Sequence, residues 1–439
     1  MLNPWLGIGL VLAVLLGLMA VLRRVGRTLH PEVTRKLLHV GMGLVTLAFP
    51  WIFAAAWPAW VLAGVSVLLL GAAKLPALRK RLGGVVDGVE RESLGDLYFP
   101  ISVALIFQLA HQRPVLYCIP VLLLTLADAV AALIGIFYGH RHYDTVHGQK
   151  SAEGSAAFFA VAFLSTLAPL LLYTDVGRVE ALLLAATVGL LVMLIEAVSW
   201  GGLDNLLVPL GGYFLLAGYL PMRATGLAVL LVATLAWVVF VLLLRRRSTL
   251  NEGALLGAAL VGYLTWSLGG WIWLIAPLLL YLGYTVMWPR GELLRRHPHN
   301  VHAVAAVCAP GLLWLAIARR YGYDELLLPY TAFYAAQLAF IGIAYFREVH
   351  GRVATLPLAA WSAGRSWAVL FIPFVLLHGY AGQTLGRAGF AFLAVALGTV
   401  AFNLSVPPPE RYSIEQFPWL RQALIGALAS LLCLLPLYW

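Results

Sequence analysis

A chain of 439 residues that is 62% hydrophobic, 11% charged and formally +10 does not have the composition of a soluble domain. It reads as a polytopic helical membrane protein. Cys118, Cys308 and Cys433 stand far apart in apolar stretches, which suggests neither a disulfide framework nor a thiolate metal site. The excess positive charge needs no nucleic acid, because basic loops facing anionic lipid head groups account for it.

At roughly 20 residues per crossing, the apolar stretches predict an all-α chain of roughly 15–16 transmembrane helices in two halves. In the first half they lie near 4–22, 37–54, 58–73, 99–112, 115–137, 156–174, 179–198, 206–220 and 223–244. In the second they lie near 252–268, 271–288, 301–318, 326–345, 366–384, 387–404 and 422–438. No basic region precedes the first apolar run, and Arg23, Arg24 and Arg27 follow it. That order predicts a retained first helix with its N-terminus outside. Threaded alternately, the spans leave only Arg113, Arg178, Arg223, Arg319, Arg320 and Arg387 outside, of 29 Lys and Arg residues. The asymmetry follows the positive-inside rule. With no transit peptide evident, the expected membrane is a bacterial inner membrane.

The first polar cluster in chain order is PEVTRKLLHVGMG, residues 31–43. Arg35 and Lys36 suit a cytoplasmic anchor, but His39, one turn from Arg35 at the membrane edge, does not need to be there for anchoring. Asp96, ahead of the span broken by Pro100, reads as an exposed loop acid. The most informative stretch is TLADAVAALIGIFYGHRHYDTVHGQKSAEGSAAFF, Thr125 to Phe159. An aspartate inside a membrane helix costs about 2.5–3.5 kcal/mol on insertion scales, so Asp128 calls for a cation or a water-filled site. Asp128, Gly135 and Gly139 share one helical face. The glycines suit either close helix packing or close approach of a ligand.

In the polar loop that follows, Lys150 is a compact charge suited to phosphate oxygens. Gly148 and Gly154 let backbone N–H groups turn toward an anion, and a helix start near Ser155 would add its dipole. Ser151 and Glu153 also read as an ordinary helix start with an acidic first turn. Taken with Asp128, the stretch predicts a nucleotide site at the membrane surface. Further on, IEAVSWGGLDNLLVPLGG brings Glu196, Asp204 and Asn205 to the same interface. Two carboxylates there suit Mg²⁺, which takes one or two carboxylates together with phosphate oxygens and water.

The basic stop Arg245–Arg247 and the polar link after it divide the chain into expected domains 1–247 and 248–439. The second domain is rich in glycine and tryptophan and includes the rigid run Pro407–Pro409. His297, His299 and His302 have ligand-like spacing, but Pro298 breaks the helix that would align them, so an interfacial polar loop is expected there.

Three segments resemble the CTP-dependent polyprenol kinases, a family that includes dolichol, phytol and farnesol kinases. They are TRKLLHVGMG, DAVAALIGIFYG with KSAEGSAAFF, and IEAVSWGGLDNLLVPL, within roughly residues 30–220. The resemblance implies transfer of the γ-phosphate of CTP to an isoprenoid alcohol whose tail stays in the bilayer. It implies Asp128, Lys150, His39 and Asp204 as catalytic residues. Gly135, Gly139, Lys150, Ser151, Glu153, Gly154, Arg35, Lys36 and Asn205 would hold the nucleotide, and Asp128, Asp204 and Glu196 would hold Mg²⁺. His39 or a carboxylate would take the proton of the alcohol. The rival is a CDP-diacylglycerol synthase, but its glycine- and aspartate-rich signature is replaced here by DNLLVPLGGYF. A lipid transporter or scaffold is the non-enzymatic alternative. NEGALLGAALVGYLTWSLGGWIW resembles the opening of the membrane family containing phytyl-phosphate kinase. The aspartate-rich motif of that family does not follow, so the second domain is expected to be a degenerate partner.

Overall fold

Asn3 and Pro4 set the first helix: Asn3 Oδ1 accepts from the Trp5 N–H at 3.0 Å, and Pro4 stands where no N–H is needed. The helix, α1 (Pro4–Val25), ends with Arg23 and Arg24 against the negative end of its dipole. The same device recurs down the chain, with Asn251 and Asn300 capping later helices. The computed structural model describes residues 3–73, 94–110, 113–146, 148–287, 299–350, 355–405 and 417–437.

In the first half these residues form α2 (Pro31–Leu47), the short α3 (Phe49–Ile52), α4 (Trp57–Ala73), α5 (Gly95–Leu109) and α6 (Pro114–Tyr138). A hairpin of β1 (His142–Thr145) and β2 (Gly148–Ser151) follows. After it come α7 (Ala152–Tyr173), α8 (Arg178–Val198), α9 (Asp204–Tyr219) and α10 (Ala224–Leu243). The second half holds α11 (Glu252–Gly269), α12 (Trp271–Met287), α13 (Val301–Tyr321), α14 (Leu327–His350), α15 (Leu356–His378), α16 (Gly382–Ser405) and α17 (Phe417–Leu432). The chain is thus an all-α polytopic membrane protein. Among the described residues, 10 helices are long and apolar enough to cross a membrane, and three shorter apolar helices accompany them. Leu68, Leu172, Leu243 and Leu404 are exposed, as a lipid-facing surface requires.

Each span expected from hydropathy overlaps a helix, but the one near 37–54 divides into α2 and α3, and the one near 366–384 starts late and runs past the end of α15 at His378. α15 begins at Leu356 rather than 366, because Thr355 and Pro357 start it and the Arg365 guanidinium lies over the Trp361 ring at 4.2 Å. A charge stacked on an aromatic face no longer ends a span. The β-hairpin is an addition to the expected loop. His297 and Pro407–Pro409 lie outside the described residues, while His302 sits in the first turn of α13, next to its cap Asn300.

The chain divides into two compact units, Met1–Ala233 and Thr234–Trp439. The division lies inside α10, ahead of Arg245–Arg247, because Val241 and its neighbours on that helix pack with Leu255, Ala259 and Tyr281. In the first unit an aromatic cluster of Phe49, Phe53, Phe107 and Tyr117 forms one end of the core. The second unit is built around α14, 94% buried over its central window. Some of its buried polar groups pair between helices, with Gln422 donating to Gln337 at 2.8 Å and Arg347 to the Asn403 carbonyl at 3.0 Å.

Candidate functional site

The site begins with an irregularity in α6. Residues Leu123–Ala127 wind as a π-helical turn, three residues after Pro120, which has no N–H to donate. Such turns interrupt the helical ladder and recur at functional sites. Here the Leu124 carbonyl takes its hydrogen bond from outside the helix, from His39 Nε2 at 2.9 Å. Asp128 is the first residue beyond the turn. Its Oδ2 accepts from Lys36 Nζ at 2.6 Å and lies 3.4 Å from His39 Nε2. α2 comes this close because position 43 is glycine: a Cβ there would stand 2.0 Å from Thr125 Oγ1. One turn earlier on α2, Arg35 pairs with Glu32 at 2.8 Å.

The hairpin delivers the second cation. Gly148, at φ 102°, closes the turn, and the antiparallel register sets Tyr143 opposite Lys150. Lys150 Nζ donates to Glu196 Oε1 at 2.8 Å and also to the Glu196 main-chain carbonyl in the last turn of α8. Burial opposes the Lys150 charge, yet the carboxylates of Glu196 and Asp204 outweigh it and hold its pKa above the ordinary lysine value. Ser151 then caps α7, accepting from the Gly154 N–H at 3.1 Å.

The third piece is the turn between α8 and α9. Gly201 and Gly202 both have positive φ, 62° and 88°, where a side chain would be strained. The Gly201 carbonyl accepts from the Leu94 N–H at 3.1 Å, which fixes the start of α5 and with it Asp96. Asp204 opens α9, and its Oδ1 is buried without a hydrogen-bond partner. A buried carboxylate oxygen in that state is one donor short of satisfied.

These pieces enclose one cavity of about 1320 Å³, larger than the roughly 300–1,000 Å³ usual for one small molecule. Arg35, Lys36, His39, Asp128, Gly135, Lys150, Ser151, Gly154, Glu196, Asp204 and Asn205 all line it. Gly139 and Glu153 do not. Gly139 packs on Ser151, where a Cβ would come within 2.9 Å. The Glu153 carboxylate accepts from the backbone N–H groups of His140 and Arg141 at 3.1 and 3.2 Å, so it closes the hairpin. Gly135 and Gly154 serve packing as well as lining: a Cβ on Gly154 would lie 3.3 Å from the Gly135 Cα. Asp96 also lines the cavity. On sequence Asp96 reads as an exposed loop acid; its only signal is a carboxylate one residue into an apolar helix.

From this charged chamber the cavity continues as an apolar arm between α1, α2, α4 and α5, reaching Val11, Phe49 and Ala59. The lining carries five carboxylates (Glu32, Asp96, Asp128, Glu196, Asp204) against three Lys and Arg side chains (Arg35, Lys36, Lys150). That leaves two carboxylates in excess among the described residues. Within those residues no three His, Cys, Asp or Glu side chains gather into an ion cage. An excess of negative charge and one orphaned oxygen nonetheless fit a cation that brings its own phosphate and water ligands.

The fold and site define an integral membrane protein with a polar chamber opening onto an apolar arm. Over a 213-residue alignment the chain is 33% identical to the phytol kinase of Synechocystis sp. strain PCC 6803, covering 47% of this chain and 88% of that protein. The chain belongs to the polyprenol and phytol kinase family. No family model matches it. No solved structure matches it.

Proposed function

We propose that the first unit is a kinase that transfers the terminal phosphate of CTP to the hydroxyl of an isoprenoid alcohol. The observation that carries this reading is the continuity of a charged chamber with an apolar arm, with Lys36, His39 and Asp128 at their junction. A polar triphosphate and an apolar alcohol meet only in a cavity with both characters. The kinship with a phytol kinase supports the same class of substrate.

Phosphoryl transfer asks the protein chiefly to position reactants and neutralise charge. Arg35, Lys36 and Lys150 are the cations for the phosphates. Lys36 and Lys150 pair with Asp128 and Glu196, and those ammonium groups pass to phosphate oxygens when the nucleotide enters. Asp204, with Asp128 and Glu196 as they are released, would hold Mg²⁺, which when bound neutralises charge on the transferring group. Ser151, Gly154 and Asn205 line the phosphate end. His39 takes the hydroxyl proton. Its Nε2 faces the Leu124 carbonyl, which only accepts, so in the neutral ring Nε2 carries the hydrogen and Nδ1 the lone pair. The alcohol oxygen bonds to the terminal phosphorus as the bond to the departing CDP oxygen breaks, and the hydroxyl proton goes to Nδ1.

The chamber faces the cytoplasm of a bacterial inner membrane in this reading, where CTP is available and where the basic loops lie. Residues 248–439 act as a structural or substrate-holding partner. A cavity of about 160 Å³ among the described residues there, also lined by Trp237, is small beside the roughly 300–1,000 Å³ of ligand pockets.

The test is transfer from γ-labelled CTP, with ATP in parallel, to geranylgeraniol by the purified protein in detergent. Labelled lipid monophosphate is the expected product. Incorporation of the CMP moiety when phosphatidic acid is supplied, with no labelled monophosphate, would make the protein a cytidylyltransferase instead.

A further inference from the structure

The apolar arm has a floor. On α2 the lining runs from Lys36, paired with Asp128, to Phe49 just beyond the helix end. At 1.5 Å per residue that is about 20 Å. On α4 the deepest lining residue is Ala59 and on α1 it is Val11; both are 2% exposed, and Phe49 is 3% exposed. This end of the arm is therefore closed inside the bundle and not open to lipid. Phe49 cannot swing away easily. Its ring meets Phe53 at 5.2 Å, Phe107 at 5.9 Å and Tyr117 at 6.5 Å between centroids, and the Tyr117 hydroxyl donates to the Thr46 carbonyl at 2.8 Å. The Phe53 ring is held from behind by Gly7, where a Cβ would stand 2.7 Å away.

We propose that Phe49 is the chain-length stop of the substrate site, and that the arm takes an acyclic isoprenoid alcohol of about four five-carbon units, excluding long polyprenols. This rests on the proposed function for the identity of the head group, though the arm itself is a matter of shape. An extended chain advances roughly 1.2 Å per bond, so each unit of four chain bonds needs about 5 Å and four units fill about 20 Å. A tail that leaves the bilayer for this arm gains nothing from the hydrophobic effect, because lipid is as apolar as the arm. Selection therefore comes from fit. A longer tail has to fold back or stay outside, and a shorter one leaves a void above Phe49.

The experiment measures thermal stabilisation of the full-length protein in detergent by geraniol, farnesol, geranylgeraniol and a fifty-five-carbon polyprenol, without nucleotide. Phosphoryl transfer to the same alcohols is measured in parallel. Geranylgeraniol is expected to stabilise most, with an apparent affinity at least tenfold above that of the polyprenol. Phe49→Ala should move the preference to longer chains. Because that variant opens the aromatic cluster and can fail to fold, Ala63→Phe serves as the second: it fills the arm one turn above Ala59 and should lower geranylgeraniol affinity about tenfold relative to geraniol. Equal stabilisation by all four alcohols, or an unchanged profile in Ala63→Phe, overturns the proposal. Length-selective binding without phosphate transfer would leave the stop standing and defeat the kinase reading alone. Transfer without length selectivity would do the reverse.

Discussion

Lys36 Nζ and Asp128 Oδ2 are 2.6 Å apart although 92 residues separate them in sequence, and this bond fastens α2 to the π-turn of α6. The Lys36 side chain is almost wholly buried, at 5% exposure. Neither charge is tolerable alone at such a depth. Removing one partner of a buried pair costs about 3–5 kcal/mol, most of it from the charge left behind.

The first prediction separates structure from chemistry at this pair. Asp128→Asn keeps the shape and an accepting oxygen for Lys36 but removes its counter-charge, so the protein should still insert, with a lowered melting temperature, while each folded molecule loses at least about 10²-fold in turnover, roughly 2.7 kcal/mol of transition-state stabilisation. Lys36→Met should lower the melting temperature, and Lys36→Met with Asp128→Leu should regain part of the loss because no unpaired charge remains. The checks are labelled-phosphate transfer and thermal unfolding in detergent. Full activity in Asp128→Asn would move the site elsewhere.

Lys150 supports a different expectation. Lys150→Ala should raise the apparent KM for CTP by about tenfold, with a smaller effect on the KM for the alcohol, since one phosphate contact is worth roughly 1.4 kcal/mol. The pH sign follows from its raised pKa. Its pairing with Glu196 contributes stability that is complete below the pKa of a free lysine and is lost only as pH rises through the higher folded value. Lys150 therefore stays charged at neutral pH, and a basic limb of the rate profile near pH 8 must come from another group. An unchanged nucleotide KM in Lys150→Ala would remove it from the phosphate site.

What the sequence made legible follows from how local each signal is. Hydropathy is local, so each expected span overlaps a helix even where its ends are misplaced. Asp128 stands out as a charge inside an apolar helix, and Lys150 as a cation among glycines in the polar loop that follows it. The π-turn did not, because Leu-Leu-Thr-Leu-Ala contains no helix breaker. The hairpin was hidden because its strands are four residues each and polar throughout, like a loop. Gly135 and Gly139 fit packing and ligand approach equally well on sequence; Gly135 does both, meeting Gly154 and lining the cavity, while Gly139 packs on Ser151. Lys36 as the partner of Asp128, and the arm ending at Phe49, depend on contacts far apart in the chain that no local pattern encodes.

Gly43 gives a prediction about that hidden geometry. Gly43→Ala would place a methyl 2.0 Å from Thr125 Oγ1, inside the π-turn, and something must shift. Overpacking of this kind costs about 1–3 kcal/mol. Because the displaced element carries Leu124 and Asp128, turnover should fall by more than the loss of folded protein explains. The measurement is kcat per folded molecule, with the folded fraction read by size-exclusion chromatography. A kcat equal to that of the parent would mean that the close packing at Gly43 is not needed to position Asp128.

Asp204 allows the cation reading to be tested at one atom. Its Oδ1 is buried and without a partner, while Asp128 and Glu196 each have an ammonium beside them. Asp204 is therefore the carboxylate of the three with an oxygen to spare. Asp204→Asn should raise the Mg²⁺ concentration required for half-maximal rate by about 10–100-fold, as loss of a ligating or supporting carboxylate does at other metal sites. It should change folding stability little, since an amide replaces a carboxylate that makes no hydrogen bond through Oδ1. A Mg²⁺ dependence that does not move in Asp204→Asn would show that the orphaned oxygen faces something other than the metal.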